Sequence, residues 1–425
     1  MPLAGDPGGA PVVVNEHGIV RCRRFGVDGD GKPVTCDTPF AIASLTKSVT
    51  AVAIVRLAEA KKVELDAPVS RYLPYFRTAG SVQPPITIRD LLLQRSGFDT
   101  PTGLEWFADP AGDDGALERR VRALAAARLN SVPGTRFTYS NANYSALGAV
   151  IAAVNRTSYE RAVETLVFRP LGIEGVSFNR PDALHGYTRW FGRPLRAEAE
   201  PVDRADVSAA GMVASAASYG RYLAAQVDAG RGWSRAVLSP AGWALLHRAQ
   251  PGSPYAMGWY AISLYGANAL RHNGEAPDFR TYALIFPQRR IGLAVFVNAD
   301  EAVDGGRQFS LERGIAALAS GRDPAMPERF ADLWPRVVAL TAFVALLWSF
   351  VARLLRRRPS TFGGAALRAT IDVSVLALLA RYAFPAMGYS FAVGWISAPD
   401  LTAILAASVV VLLADVGLTV FDVGW

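Results

Sequence analysis

The chain has 425 residues, 44 Lys and Arg against 37 Asp and Glu, and a formal net charge of +7. A balance so mild and scattered, with no RNA-recognition, zinc-finger or basic-helix pattern, argues against a nucleic-acid partner. Four histidines with no HExxH run, and two cysteines with no Cys/His cluster, give no zinc enzyme and imply no metal or other cofactor.

Composition divides the chain near Asp332. Residues 1–332 mix charges with abundant Gly and Pro. Residues 333–425 lose Lys and Glu, keep seven Arg and four Asp, and carry long apolar runs.

In chain order, "MPLAGDPGGA" opens without the apolar core of an export signal. "PVVV" and "IVRCRRF" read as short strands, with "VDGDGKP" as turns. Cys22 and Cys36 flank this stretch and are read either as a pair in an oxidising compartment or as two free thiols. The segment "SLTKSVTAVAIVRLAEAKK" is apolar nearly all round, which predicts a buried central helix with Ser44 in its first turn.

Lys47 lies one turn after Ser44, so both side chains share a helix face. The chain has only Lys32, Lys47, Lys61 and Lys62 as lysines and writes its other positive charges as arginine. An arginine stays protonated, whereas a desolvated ammonium drops its pKa and becomes a base. A serine hydroxyl is a weak nucleophile until such a base takes its proton. The helix N-terminus adds unpaired N–H groups that hold an oxyanion. The bland alternative is an N-capping serine and a snorkelling lysine.

Between about 87 and 260 helical patterns alternate with loops. "PGTRFTYSNANYSALGAVI" places Tyr139 and Asn141 in a loop before another apolar helix. A phenol relays protons and an amide holds a substrate carbonyl. "RHNGEAPDF" places His272, Asn273 and Gly274 in a strand-like stretch, where Gly permits close backbone approach. "TYALIFP" and "IGLAVFVN", joined by "QRR", form a hairpin of buried strands, and "RQFSLERGIAALA" closes the domain as an amphipathic helix. The fold class is therefore α+β: an antiparallel sheet built from both chain ends, flanked by helices, with a helical region inserted and an all-α tail following. His17 reads as a turn residue and His247 as a helix-surface residue. His185 is the remaining histidine that could approach the pocket. "LEWFADP" reads as a packed loop or cleft wall, and pocket depth depends on loops at about 99–125 and 180–205.

The order S-x-x-K, Y-x-N and a strand motif ending in Gly resembles the serine β-lactamase and penicillin-binding-protein family, in particular its class C β-lactamase, D,D-peptidase and esterase group. The resemblance runs from about residue 11 to 320. It includes "ITIRDLLLQRSGF", similar to the family's I-T-I-R-D-L-L-x-H-T-S-G-L, "SAAGMVASAASYGRYL", and "YAMGWY" ahead of the third motif. It implies that Ser44 is acylated and that Lys47 and Tyr139 form the proton-transfer pair. Asn141 would contact the substrate amide, and the N–H groups of Ser44 and Glu275 would form the oxyanion hole. His272-Asn273-Gly274 stands where other members carry Lys-Thr-Gly or His-Thr-Gly. The histidine departs from the class C lysine, and Asn273 and Glu275 replace small hydroxyl or aliphatic residues at the substrate-facing strand. These departures favour a peptidase or amidase for D-amino-acid-containing substrates, with β-lactamase and esterase as alternatives. Asn273 points to a neutral, amide-bearing group beside the scissile bond. A binding protein that senses cell-wall fragments or β-lactams without turnover is the non-enzymatic rival.

In the tail, Val337 to Ala352, Tyr382 to Pro399 and Leu401 to Ala414 are uncharged runs of sixteen, eighteen and fourteen residues. By accepting a charge each reaches the roughly 20 residues that a bilayer requires, which predicts transmembrane helices at about 336–353, 372–395 and 400–421. Buried core helices are the alternative. Trp334, Tyr389 and Trp395 lie near run ends. Arg353, Arg356, Arg357, Arg358 and Arg368, with no acid between them, place their loop on the cytoplasmic side. Residues 1–332 are then extracytoplasmic at a bacterial inner membrane, and an export signal upstream of this sequence is expected. Asp372, Arg381 and Asp415 fall within the spans and are expected to pair, Arg381 with Asp415, a transport role being the distant alternative. Catalytic domain plus three-helix anchor also resembles, more weakly, the membrane-anchored colibactin-type peptidases that remove an acyl-D-amino-acid cap from nonribosomal peptides. The expected partners are a small peptide, amide or ester substrate and the lipid bilayer.

Overall fold

Sealed residues alternate with half-exposed ones along β1 (Gly8–Asn15), where Ala10, Val12 and Val14 face the core. This period-2 pattern belongs to a strand covered on one face. The structure, a computed structural model, describes residues 7–80, 83–104, 112–178, 184–197, 204–250, 253–264, 266–300, 314, 317, 322, 334–356 and 399–423. The chain divides into two units: Met1–Tyr187, Arg196–Ala299 and Ile315–Arg322 in the first, and Thr188–Leu195, Asp300–Gly314 and Asp323–Trp425 in the second.

In the first unit β1 is joined by β2 (Gly18–Cys22) and β3 (Phe25–Gly26). The short strand β4 (Pro39–Ala41) follows, with β5 (Val176–Ser177) much later in the chain. A ribbon of β6 (Tyr187–Trp190) and β7 (Arg193–Arg196) has its tip in the second unit. Then come β8 (Val213–Ser215), β9 (Tyr255–Ala256), β10 (Trp259–Leu264), β11 (Ala267–Ala276), β12 (Phe279–Phe286) and β13 (Ile291–Val297). The main sheet runs β2-β1-β13-β12-β11-β10-β9, antiparallel throughout, with β3 also on β1. The register Val12↔Ala294 sets the first strand beside the last, so the sheet is built from both chain ends as expected. Cys22 and Cys36 form a disulfide, which resolves the two readings of these residues.

Helix α1 (Thr46–Glu59) is buried from Thr46 to Val55 because Ala, Val, Ser and Thr cover all its faces and none is too large for close neighbours. The other helices of this unit are α2 (Ile88–Leu92), α3 (Thr100–Leu104), α4 (Ala116–Ala123), α5 (Asn141–Asn155), α6 (Tyr159–Val163), α7 (Val207–Ala210), α8 (Ala216–Asp228) and α9 (Pro240–His247). A capping box between Thr87 and Asp90 starts α2. Helix α8 lies across β1 and β13. A small sheet, β4-β8-β5, brings the chain entering α1 beside the chain leaving α7, and Ile42 N–H donates to Met212 O at 3.0 Å. Apart from Gly314 and Ala317, the expected helix over "RQFSLERGIAALA" lies outside the described residues, as do residues 105–110 of "LEWFADP".

In the second unit α10 (Trp334–Arg356) packs on α11 (Pro399–Val423). Buried Arg336 pairs with buried Asp400, which also accepts from the N–H of Phe191 at 2.9 Å. Asp415 is buried. The expected middle helix at about 372–395, with Asp372 and Arg381, and the loop through Arg368 lie outside the described residues. Among those described, no helix is long and apolar enough to cross a membrane. The uncharged stretches of α10 and α11 are sixteen and fourteen residues, bounded by Arg336 and Arg353 and by Asp400 and Asp415.

Candidate active site

The nucleophile candidate sits on a strained turn. Ala43 has φ +45°, a left-handed value disfavoured for a residue with a Cβ, and a 3₁₀ turn, Ala43–Leu45, joins it to α1. From Phe40 to Val55 every residue is buried except Ser44. Its Oγ lies 2.9 Å from Lys47 Nζ and accepts a hydrogen bond from Tyr139 OH at 3.0 Å.

Lys47 is fully buried and donates to Ala209 O on α7 at 2.9 Å. Its Nζ stands 4.9 Å from the centre of the Tyr139 ring and 5.9 Å from that of Tyr144. Desolvation pushes its pKa down to about 7, against the pull of Asp206. A lysine at that value is half unprotonated at neutral pH. Desolvation also holds the Tyr139 phenol well above its usual range, opposed by the bond to Ser44, so it stays protonated.

Residues outside the motifs hold this group in place. Gln94, with φ +57°, ends the segment after α2, and its Oε1 accepts from the Ser140 N–H at 3.0 Å and from Asn143 Nδ2. Its backbone carbonyl accepts from the Thr138 N–H at 2.9 Å. Gln94 therefore clamps both sides of Tyr139. Thr100 Oγ1 donates to the Tyr139 carbonyl at 2.7 Å. Asn141 is the first residue of α5 rather than a loop residue, and its Oδ1 is buried with no partner among the described residues.

Strand β11 carries the third motif. A Cβ on Gly274 would lie 2.1 Å from Ile42 O and 2.4 Å from Thr281 Oγ1, so only glycine lets β11 press against the turn before Ser44. The pair Ala276↔Phe279 closes β11 and β12 with the two-residue turn at Pro277 and Asp278. Ladder alternation from that turn directs the Glu275 N–H away from β12, the orientation needed for an oxyanion donor. Asn273 Nδ2 donates to Glu275 Oε1 at 2.8 Å, so its first partner is its own strand neighbour.

His272 is 1% exposed and ringed by Tyr139, Tyr255 and Tyr260. Its Nδ1 is 2.7 Å from Asn273 O and its Nε2 2.9 Å from Tyr255 OH. A carbonyl only accepts, so Nδ1 carries the proton and Nε2 accepts from the tyrosine. Burial first, then neighbouring Lys47, lowers its pKa to about 3, and the ring is neutral.

The other histidines lie elsewhere. His17 follows the β1 turn, exposed. His185 Nδ1 is 3.2 Å from Ala197 O, close to the Gly29 turn. His247 is half-buried, not on the surface: the end of α9 turns it onto Gln226 Oε1 at 2.7 Å, and desolvation lowers its pKa to about 4. Gln94, Tyr255, Tyr260 and the Ala209 carbonyl went unnoticed in the sequence. A glutamine in place of the histidine in "LLLQRSGF" was the available signal for Gln94.

A family model described as Beta-lactamase matches residues 4–317. Protein flp of Staphylococcus aureus is 26% identical over 302 residues, covering 69% of this chain and 59% of its own length. Esterase EstB of Burkholderia gladioli is 35% identical over 189 residues, 40% of this chain and 47% of its own. This chain therefore spans about half to three-fifths of the length of these two relatives. Of solved structures, the octameric penicillin-binding protein homologue from Pyrococcus abyssi superposes with a TM-score of 0.65 at 23% identity, over 79% of this chain and 77% of that one. That likeness establishes the fold.

Proposed function

The chain belongs to the β-lactamase family, and on that premise we propose that it is a hydrolase working through an acyl-enzyme at Ser44, on an amide or ester with a neutral group beside the scissile bond. One observation carries the reading: the partly exposed hydroxyl of Ser44 stands 2.9 Å from Lys47 Nζ and 3.0 Å from Tyr139 OH. Neutral Lys47 takes the Ser44 proton as Oγ attacks the substrate carbonyl. The N–H groups of Ser44 and Glu275 receive the oxyanion. Tyr139 gives its proton to the leaving nitrogen or oxygen and is refilled from Lys47. Water then replaces the leaving group, and the same transfers in reverse free the acid and restore the serine hydroxyl. Asn141 Oδ1, buried and without a partner among the described residues, is the acceptor assigned to a substrate N–H.

Peptidase or amidase action on D-amino-acid-containing substrates is favoured over β-lactamase action because His272 brings no cation to meet a carboxylate. The test is the intact mass of the protein after exposure to D-amino-acyl amides, simple esters and β-lactams. Acyl adducts that form and decay on the wild type and are missing on Ser44→Ala are expected. A labelled Ser44→Ala protein would sink the assignment, and an adduct that persists would turn the reading to a sensor.

A bilayer is the proposed second partner. Along α10, Val338, Val344, Trp348 and Leu355 are 62%, 54%, 74% and 78% exposed, an apolar surface unlike that of a water-facing helix. The Cys22–Cys36 disulfide supports an oxidising, extracytoplasmic compartment for the catalytic unit. Retention in alkali-washed membranes is expected, and full release into the wash would exclude the tail as an anchor.

A further inference from the structure

Behind Lys47 lies a buried polar cluster that none of the motifs contains. Asp206, 2% exposed, precedes α7, and its backbone carbonyl accepts from the N–H groups of Ala209 and Ala210 at 2.8 and 2.9 Å. Its carboxylate accepts a short hydrogen bond from Ser145 Oγ on α5 and stands 3.5 Å from Nε of Arg120 on α4. Arg120 has no exposed surface and also donates to Thr102 O at 2.8 Å. Helix α7 is the element that presents the Ala209 carbonyl to Lys47. One residue thus shapes the turn that holds the base and places a negative charge in the base's surroundings.

We infer that Asp206 and Arg120 are a positioning pair that sets the protonation of Lys47, the carboxylate favouring the ammonium and the guanidinium limiting that effect. The inference rests on Lys47 being the base. The titratable groups facing Lys47 are Tyr139 from its loop, Tyr144 from α5, His272 from β11 and Asp206 at α7. Both phenols are held protonated and His272 is neutral, so the charge among these four is that of Asp206. Nearby Arg204 is engaged by Asp114 and Glu160 at 2.8 and 2.9 Å. A buried carboxylate with no counter-charge would hold Lys47 as an ammonium that cannot accept the serine proton. A buried guanidinium left alone would push it the other way. The pair therefore acts as a balance, and its two halves must err in opposite directions.

The test is the pH profile of kcat/KM for the intact chain on the substrate that acylates it best. Asp206→Asn should move the acid limb to lower pH by about one unit, and Arg120→Gln to higher pH by about half a unit. The double variant Asp206→Asn/Arg120→Met, which replaces a buried pair by neutral groups and so keeps the test open where a single variant fails to fold, should shift the limb downward by less than Asp206→Asn alone. Asp206→Glu keeps the charge while displacing α7, so its kcat should fall with the limb unmoved. Single variants that move the limb the same way, or an unmoved limb in the double variant, would overturn the inference while leaving the base intact. A Lys47→Arg protein that retains more than about a tenth of normal activity would instead overturn the base reading, and this inference with it.

Discussion

Replacing Lys47 with methionine should abolish turnover and yet stabilise the protein. The side chain is fully buried, and desolvation, opposed by Asp206, takes its pKa from the ordinary 10.5 to about 7. At about 1.4 kcal/mol per unit, carrying it in the fold at pH 7 costs about 4 kcal/mol relative to a lysine in water. Methionine removes that cost but leaves the Ala209 carbonyl without this donor, which offsets about 1–3 kcal/mol. The variant should therefore be more stable by about 1–3 kcal/mol at pH 7. The sign of the pH dependence follows from linkage. The folded pKa lies below the unfolded one, so from about 7 to 10.5 the unfolded chain holds a proton that the folded chain lacks. Stability of the native protein then rises across that window by about 1.4 kcal/mol per unit, a slope missing from the variant. Parallel urea unfolding of both proteins at pH 7, 8 and 9 should show the advantage of methionine shrinking by about 2–3 kcal/mol. An advantage that stays constant over those three values would refute the claim that Lys47 is held neutral.

Below pH 7, kcat/KM should fall about tenfold per unit because the neutral amine is lost, with no alkaline decline from Tyr139 before pH 10, given its raised pKa. A profile level from pH 5 to 9 would contradict this. Gly274→Ala should lower kcat/KM about a hundredfold, since β11 must retreat about 1 Å from the Ile42 carbonyl to admit the methyl group. Full activity in that variant would show that the close approach is not needed. Cys22→Ser opens a link spanning 14 residues and should cost about 3 kcal/mol in urea unfolding, as should reduction of the wild type. Equal stability with and without reductant would exclude a stabilising disulfide.

The S-x-x-K pair was legible because its geometry is local: three residues along a helix fix one face. The sheet was legible at the β12–β13 hairpin, where two apolar runs flank a short turn. Convergence of Tyr139 and His272 on Ser44 came only through the family resemblance and not from the residues' own spacing, because it depends on contacts between distant segments. Pairing of β4 with β8, Gln94 holding the Tyr139 loop, and Gly274 against Ile42 all join residues far apart in the chain. The Ala209 carbonyl left no trace at all, since any residue supplies one. His247 was misplaced because periodicity assigns a face but not a neighbour, and the last turn of α9 meets buried Gln226. Cys22 and Cys36 could not be decided from spacing alone, because pairing needs the arrangement in space of the end of β2 and the turn that carries Cys36.

The neutral histidine and the lysine base are linked by electrostatics. His272 stands among Tyr139, Tyr255 and Tyr260 with both ring nitrogens engaged, and Lys47 is close enough to lower its pKa. A lysine at this position would set a second cation beside the base and favour its unprotonated form. It would also offset a carboxylate bound in the same place. Here that cation is missing. Burial does most to free Lys47, and Asp206 works against it. A substrate that brought an anion next to Ser44 would favour the ammonium further and silence the base near neutral pH. A neutral amide or ester adds no such pull. On the proposed mechanism, substrate class and base strength are therefore set together: a neutral residue at position 272 would offer a carboxylate no cation, and a carboxylate there would weaken the base.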